Sequence, residues 1–539
     1  MQLKNQKNML GRYLEGKRLI VLFLFFLFFG IGIYIFRSTS EVTPLNKVDS
    51  KSNQAAYEDM LDPVLIEQGK MLAVQHCKSC HMLPDPSLLD KENWRVALTK
   101  MGPLLGIFDH KGQSYPIYTD IDQSFYPSEA AMSSLEWQKI LDYYTTTAPV
   151  ELTLEFKKPV RRELPFFLLE LPPALFNRKG NTASFVKIDT SVKPHRVFVN
   201  RASSNTLFLL DNKLQVKDSL ITDGPLVDID FSGNELVTCK IGSNLFGNNS
   251  RNGDLTRIKI NKQGNMQADI QPLFESLARP VQIQAVDING DRKKDYLICE
   301  FGNSYGSLLW MEKEETGKYL RHDIRALAGA TQAYVQDYNN DGRPDIWALF
   351  SQGEEGVFLF TNKGKGLFAE KQVIQLPPSY GSSSFELNDF NKDGFPDILY
   401  TCGDRGDGIN QLKPYHGVYV FINNGRNVFS QQYFYPINGC IKAMARDFDN
   451  DGDLDIAAIG FFTDNRHPEE GFTFLKNNGN LNFDPYSLPA ETNIYKVSTM
   501  DVADIDSDGR QDIILGHGFI GTKATDEIKP LFIVLKNRF

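Results

Sequence analysis

Residues 447–455 read Asp447-Phe448-Asp449-Asn450-Asp451-Gly452-Asp453-Leu454-Asp455, and they decide the fold of most of the chain. Acidic side chains stand at positions 1, 3, 5 and 9, a glycine follows position 5, and the apolar run Ile456-Ala457-Ala458 comes next. Four other stretches carry the same pattern of Asp and Asn: Asp287, Asn289, Asp291, Asp295; Asp337, Asn339, Asp341, Asp345; Asp389, Asn391, Asp393, Asp397; and Asp504, Asp506, Asp508, Asp512. Oxygens at those positions, with a backbone carbonyl at position 7, wrap a hard cation, so up to five Ca²⁺ ions are expected. Carboxylates so close together repel one another unless a cation neutralises them. An Asx-rich turn without an ion is the plainer reading, and five occurrences in register weigh against it. These are not EF-hands, which need a bidentate Glu at position 12, where this chain has Ile298, Ala348, Tyr400, Ala458 and Leu515. Each loop runs instead into a short apolar segment that reads as a buried strand.

The loops begin at 287, 337, 389, 447 and 504, a spacing that leaves room for four strands per repeat. Strand-turn-strand patterns recur at 207–216, 255–266, 308–319, 357–368, 418–429, 472–483 and 531–539, several with Asn-Gly turns such as Asn424-Gly425 and Asn478-Gly479. That makes seven units, with Asp189 and Asp228 expected to mark the first two registers in degraded form. Seven four-stranded units arranged radially make an all-β seven-bladed propeller, which leaves only short edges. The last unit is one strand short, and Leu164–Leu171 is free to fill the gap. The repeats resemble the FG-GAP/VCBS repeats of integrin-type propellers over roughly residues 164–539. The resemblance implies that the ion loops join the two innermost strands at one rim and are structural.

A second signal lies at Cys77-Lys78-Ser79-Cys80-His81, a C-x-x-C-H sequence of the kind that attaches a c-type haem. Each thiol adds to one vinyl group, and the histidine faces the iron. A zinc site would want a second Cys/His pair, and none lies nearby. Asp62-Pro63 reads as an N-cap with proline at the first helical position, so a helix is expected over Val64–His76. Trp137, Ile140, Leu141 and Tyr144 recur at helical spacing and predict a second helix. Gly69 stands eight residues before Cys77. Residues 59–149 thereby resemble the small all-α class I cytochromes c, in which a glycine lets the first helix cross closely over an aromatic-bearing last helix; Tyr143 or Tyr144 would be the partner. The resemblance places the sixth iron ligand, a methionine, on the intervening loop. Met101, in Lys100-Met101-Gly102-Pro103, is the expected ligand; Met132 reads as core, His110 as a solvated loop residue, and an open site is the remaining alternative. A thioether would raise the iron potential relative to bis-histidine ligation. Pro84 and Pro86 fix the chain after His81, and a carbonyl there is a candidate acceptor for the imidazole N–H.

Residues 19–36 form an uninterrupted apolar run, LIVLFLFFLFFGIGIYIF, about 27 Å long as a helix and just long enough to span a bilayer core. Five basic residues precede it, and Arg37 alone follows closely, so the N-terminus is expected to stay in the cytoplasm. A cleaved signal peptide is the competing reading, but bulky Tyr34, Ile35 and Phe36 occupy positions where small residues would be wanted. The sequence therefore predicts a multidomain protein: a cytoplasmic basic segment (1–18), one N-terminal transmembrane helix (19–36), a linker (37–58), a haem domain (59–149), a second linker (150–163) and the propeller (164–539). Its bulk would lie in the periplasm or another extracytoplasmic space. The net charge of −9 is no general acidity, because 18 of the 67 acidic residues sit in the five loops. No basic stripe supports nucleic-acid binding.

Other features carry less. Cys239, Cys299 and Cys402 read as small core residues at equivalent places; a Cys402–Cys440 disulfide suits the compartment without being indicated. Arg405-Gly406-Asp407 is a chance tripeptide in a Gly/Asp-rich loop. His416, His467 and His517 each follow an Asp-rich loop and would share a face if they are not simply solvated. There is no Ser/His/Asp grouping, and four Trp in the chain argue against the repeating Trp signature of quinone-cofactor dehydrogenase propellers. The expected function is a membrane-tethered electron carrier with one covalent haem c, its propeller serving a redox partner or a protein or carbohydrate ligand. A haem-linked oxidoreductase with a substrate site in the propeller, or an adhesion or sensor module, stands behind it.

Overall fold

The computed structural model describes residues 62–117, 121–154, 162–245, 249–405, 411–464, 466–489, 492, 496–518 and 528–539. The segments 1–18, 19–36 and 37–58, all of 155–161, and Gly406 and Asp407 lie outside the described residues. Among the described residues no helix is long and apolar enough to cross a membrane. Pro63–Phe539 forms one unit.

Seven antiparallel sheets follow one another along the chain, each with its strands in sequence order. Blade 1 spans 183–221, blade 2 226–277, blade 3 280–325, blade 4 330–375, blade 5 382–436, blade 6 440–487 and blade 7 497–537. Blade 7 takes its fourth strand from Phe167–Glu170, which pairs antiparallel with Phe532–Asn537, as the missing strand predicted. Arg162–Glu163 adds a short parallel fifth strand to blade 6. The second strands of blades 3 to 7 are buried along their whole length, as in Asp345–Phe350, because each blade is sandwiched between two others.

Side chains of the innermost strands stitch the blades together. Gln282 Oε1 accepts from the Ala333 amide at 2.5 Å, while its Nε2 donates to the Ala333 carbonyl at 3.1 Å. Gln332 reaches Phe385 N, Glu386 reaches Ala445 N, and Asp501 of blade 7 reaches Ile188 N of blade 1. Lys442 Nζ donates to the Met500 carbonyl, and Ser184 Oγ to that of Leu226. An innermost strand has one unpaired edge, and buried backbone groups left without partners there would be costly. Asp228 belongs to this set: it lies within the first strand of blade 2, bonded to Ile283 N and to Lys187, and does not mark a loop register. The loop equivalent in blade 2 is the tight turn at Gly233-Asn234.

The domain preceding the ring has three helices, α1 (Pro63–His76), α2 (Lys91–Met101) and α3 (Ser134–Thr147). A capping box of Ser133 and Glu136 starts α3. Asp90 caps α2, a helix beyond the two expected from the sequence. Trp94, Leu98, Trp137, Ile140 and Tyr144 form a core separate from those of the ring. At Gly69, α1 crosses α3 so closely that a Cβ would lie 2.0 Å from the Lys139 carbonyl oxygen and 2.9 Å from the Tyr143 Cβ.

Candidate functional site

Two constellations carry chemistry, one in each domain. In the helical domain Cys77 opens a 3₁₀ turn, Cys77–Ser79, that continues α1. Cys80 N lies 3.5 Å from the Cys77 carbonyl, so both thiols belong to one turn. Both are free. Burial, helped by the neighbouring Cys80, pushes the Cys77 thiol up to about 11. His81 Nδ1 donates to the Met82 carbonyl at 2.8 Å, which leaves Nε2 as the nitrogen available to a metal. The carbonyls of Pro84 and Pro86 serve other donors, accepting from Tyr144 O–H at 3.2 Å and Trp94 Nε1 at 2.7 Å. These bonds hold the segment after His81 against the core.

Of the sixth-ligand candidates, Met101 ends α2 and packs half-buried against the core, followed by the 3₁₀ turn Gly102–Leu105. Met132 is core, 8% exposed. His110 departs from the solvated loop residue expected: it is buried, with Nε2 2.7 Å from Gln138 Oε1 and Nδ1 3.1 Å from Ser134 Oγ. With both ring nitrogens engaged, it is a poor candidate to bind iron. The same domain exposes Met71, Val74, Val96, Leu104 and Phe108. From Val64 to Leu154 lie eleven of the 22 exposed large apolar side chains among the described residues. Two thiols on one turn, an imidazole with Nε2 to spare and uncovered apolar surface fit a covalently attached porphyrin.

In the ring, the five Asp-rich loops join first and second strands at one rim and share one bonding scheme. The position-1 carboxylate accepts from the amides at positions 5 and 6, as Asp447 does from Asp451 N and Gly452 N. Position 5 accepts from position 7, as Asp451 does from Asp453 N. The position-9 carboxylates Asp295, Asp345, Asp397, Asp455 and Asp512 are buried. Each accepts the amide of the strand-3 residue opposite: Lys313, Asn362, Asn423, Asn477 and Asn537. Burial raises all five above the ordinary carboxylate range, Asp455 to about 7. Asp447, Asp449 and Asp451 bring carboxylate oxygens within 4.8 Å of one another, as do Asp504, Asp506 and Asp512. In blades 6 and 7, where position 3 is Asp, a lysine stands opposite: Lys476 contacts Asp449, and Lys536 lies 3.0 Å from Asp506. In blade 3, where position 3 is Asn289, the facing residue is Glu312, which accepts from the Asn289 amide at 2.9 Å. In these three blades the charge opposite the third ligand follows that ligand.

Antiparallel strands alternate ends, so the loops joining second and third strands lie at the opposite rim. The helical domain sits there. Tyr415 O–H donates to the Leu88 carbonyl at 3.0 Å, and Gln411 Nε2 to Asp90 Oδ2 at 2.6 Å. Phe125 meets Tyr305 edge-on, 5.5 Å between ring centres. The segment tied to blade 5 is the one that leads away from His81. Cys239, Cys299, Cys402 and Cys440 are all buried free thiols, so Cys402 and Cys440 form no disulfide. Cys402 pairs across its ladder one residue beyond the register shared by Cys239 and Cys299.

The ring defines a class: a seven-bladed β-propeller that carries FG-GAP-like repeats. Residues 287–348, 337–400 and 447–515 match the FG-GAP-like repeat. Cartilage acidic protein 1 of Xenopus tropicalis is 28% identical over 267 residues, 44% of this chain and 38% of that protein. A T-cell immunomodulatory protein homolog of Plasmodium falciparum (isolate 3D7) is 28% identical over 137 residues, 23% of this chain and 18% of that one. The chain therefore spans well under half the length of these curated relatives. Among solved structures, Saccharomyces cerevisiae Sqt1 superposes with a TM-score of 0.41 at 8% identity, covering 67% of this chain and 97% of that one, a likeness too slight to argue from.

Proposed function

We propose that the protein is a membrane-tethered, extracytoplasmic electron-transfer protein carrying one covalent haem c. Its propeller, stiffened by Ca²⁺, would dock a redox partner or a protein or carbohydrate ligand. The observation that carries the reading is the turn Cys77–His81, where two thiols stand beside a histidine whose Nδ1 is held by a carbonyl. Haem, when bound, supplies a one-electron couple. Cys77 and Cys80 would hold the porphyrin, His81 would bind the iron through Nε2, and Met101 would close the other face. Trp94 and Tyr144, with ring centres 4.2 Å apart, brace the chain behind His81 and keep that side dry. The anchor at 19–36 would keep the protein at the cytoplasmic membrane with its bulk outside.

Calcium at the five loops has its support in the repeated scheme of buried position-9 carboxylates, which gain from a divalent neighbour. The wild-type chain and a Met101→Ala variant, made in a cell that matures c-type cytochromes, test the assignment by their reduced-minus-oxidised spectra. The wild-type should show a c-type band, and the variant should bind imidazole at the iron far more readily. A wild-type without that band would end the electron-transfer reading. Unchanged ligation in the variant would remove Met101 alone.

A further inference from the structure

Across each blade, one strand-3 side chain tracks the third position of the Asp-rich loop. It precedes the residue whose amide the position-9 carboxylate accepts, and in chain order it is Glu312, Thr361, Ile422, Lys476 and Lys536. Position 3 in the same order is Asn289, Asn339, Asn391, Asp449 and Asp506. At this register, lysine therefore accompanies the two loops with Asp at position 3 and none of the three with Asn. Lys476 Nζ contacts Asp449 Oδ2, and Lys536 Nζ lies 3.0 Å from Asp506 Oδ2 and 3.1 Å from Asp512 Oδ2. Both lysine side chains are largely covered, Lys476 with its Nζ 5.2 Å from the centre of the Phe539 ring, so water and salt screen them less than on an open surface.

Over positions 1, 3, 5 and 9 and this facing residue, the loops of blades 4 and 5 hold three carboxylates and no lysine. Those of blades 6 and 7 hold four carboxylates and one lysine, so all four loops come to a formal charge of −3. Blade 3 differs: Glu312 is its fourth acid, engaged with the Asn289 amide at 2.9 Å and with His322 Nε2 at 2.7 Å. The number of charged ligands sets how tightly an oxygen site holds Ca²⁺, and carboxylates so close repel one another while no cation is present. A lysine beside the fourth carboxylate acts on both counts. It offsets the repulsion in the empty loop, and it opposes the ion that arrives.

We infer that Lys476 and Lys536 are built-in counter-charges that hold the calcium affinity of blades 6 and 7 down to that of the loops with Asn at position 3. The inference deepens the calcium role proposed for the ring and rests on it. Its test is native mass spectrometry of the full-length holoprotein at buffered free Ca²⁺, which counts the ions bound. In Lys476→Met one ion should bind at roughly a tenth of the free Ca²⁺ that it needs in the wild type. Lys536→Met should do the same in blade 7, and the two together should shift two ions. Lys476→Arg keeps the charge and should load as the wild type does. Asp449→Asn should weaken one ion by about tenfold. Asp449→Asn/Lys476→Met, which copies the Asn391 and Ile422 of blade 5, should return that ion to the wild-type range. Loading that is unchanged or weaker in both lysine-to-methionine variants, or a double variant no nearer the wild type than Asp449→Asn alone, would overturn the inference and leave the calcium reading standing. A wild type that takes up no Ca²⁺ would end both.

Discussion

In the ring, Gln282 spends both ends of its amide on the next blade, and the Asp-rich loops of blades 3, 5, 6 and 7 anchor their ninth residues to two backbone amides. In the helical domain, Met71, Val74 and Phe108 face solvent and His81 keeps Nε2 in reserve. The first is a scaffold whose junctions are closed by its own side chains. The second leaves apolar surface and ligand atoms for another group to use. On the proposed reading a single chain puts rigidity into one domain and chemistry into the other, and the two are linked through Tyr415 and Gln411.

Chelation should divide the two regions most sharply. A site saturated a hundredfold above its dissociation constant stabilises by about 2.7 kcal/mol, so removing Ca²⁺ from several loops should lower the ring's melting temperature by on the order of 10–20 °C. Calorimetry with and without EDTA reads this, and the haem band should stay in place. Loss of the band together with the ring would erase the division.

A pH series sharpens the ring's side of the comparison. Burial raises Glu355 from 4.5 to about 8, against the opposing pull of Lys413 and the amide of Ser382. The folded state therefore holds a proton that the unfolded chain releases. Its stability is full below pH 4.5 and declines as pH rises to about 8, by on the order of 5 kcal/mol. Denaturant melts of Glu355→Gln should lack that slope; an unchanged slope would place its origin elsewhere.

Smaller effects should stay within one domain. Gly69→Ala puts a methyl group into the Lys139 backbone and should destabilise the helical domain by about 3 kcal/mol, seen as earlier loss of the haem band with the ring transition unmoved. Gln282→Ala strands the Ala333 amide and carbonyl and should cost the ring about 2 kcal/mol. Tyr415→Phe removes one hydroxyl bond between the domains, worth about 1 kcal/mol, and should loosen docking, read as faster proteolysis near Leu88, without touching either core.

Most of the ring was legible because its signals are local. Asn478-Gly479 and Asp447 through Asp455 carry their turns within a few residues, and the closing strand at Phe167–Glu170 announces itself by being apolar and unpartnered. Gly69 was legible through its spacing from Cys77. What escaped depends on partners far along the chain. His110 is buried by Gln138 and Ser134, 28 and 24 residues away, and His416 by the packing of blades 5 and 6. Asp228 looked like a loop ligand, but its partner Ile283 is 55 residues on. The helix α2 carries a local signal of its own, Asp90 as cap and Gly102-Pro103 as stop.

The most direct measurement is the mass of the peptide containing Cys77–His81, cut from protein made in a cell able to attach haem. A peptide carrying the porphyrin through both thiols, and losing it in Cys77→Ala/Cys80→Ala, is the predicted result. An unmodified peptide with two free thiols would contradict the account and leave the helical domain without its redox role.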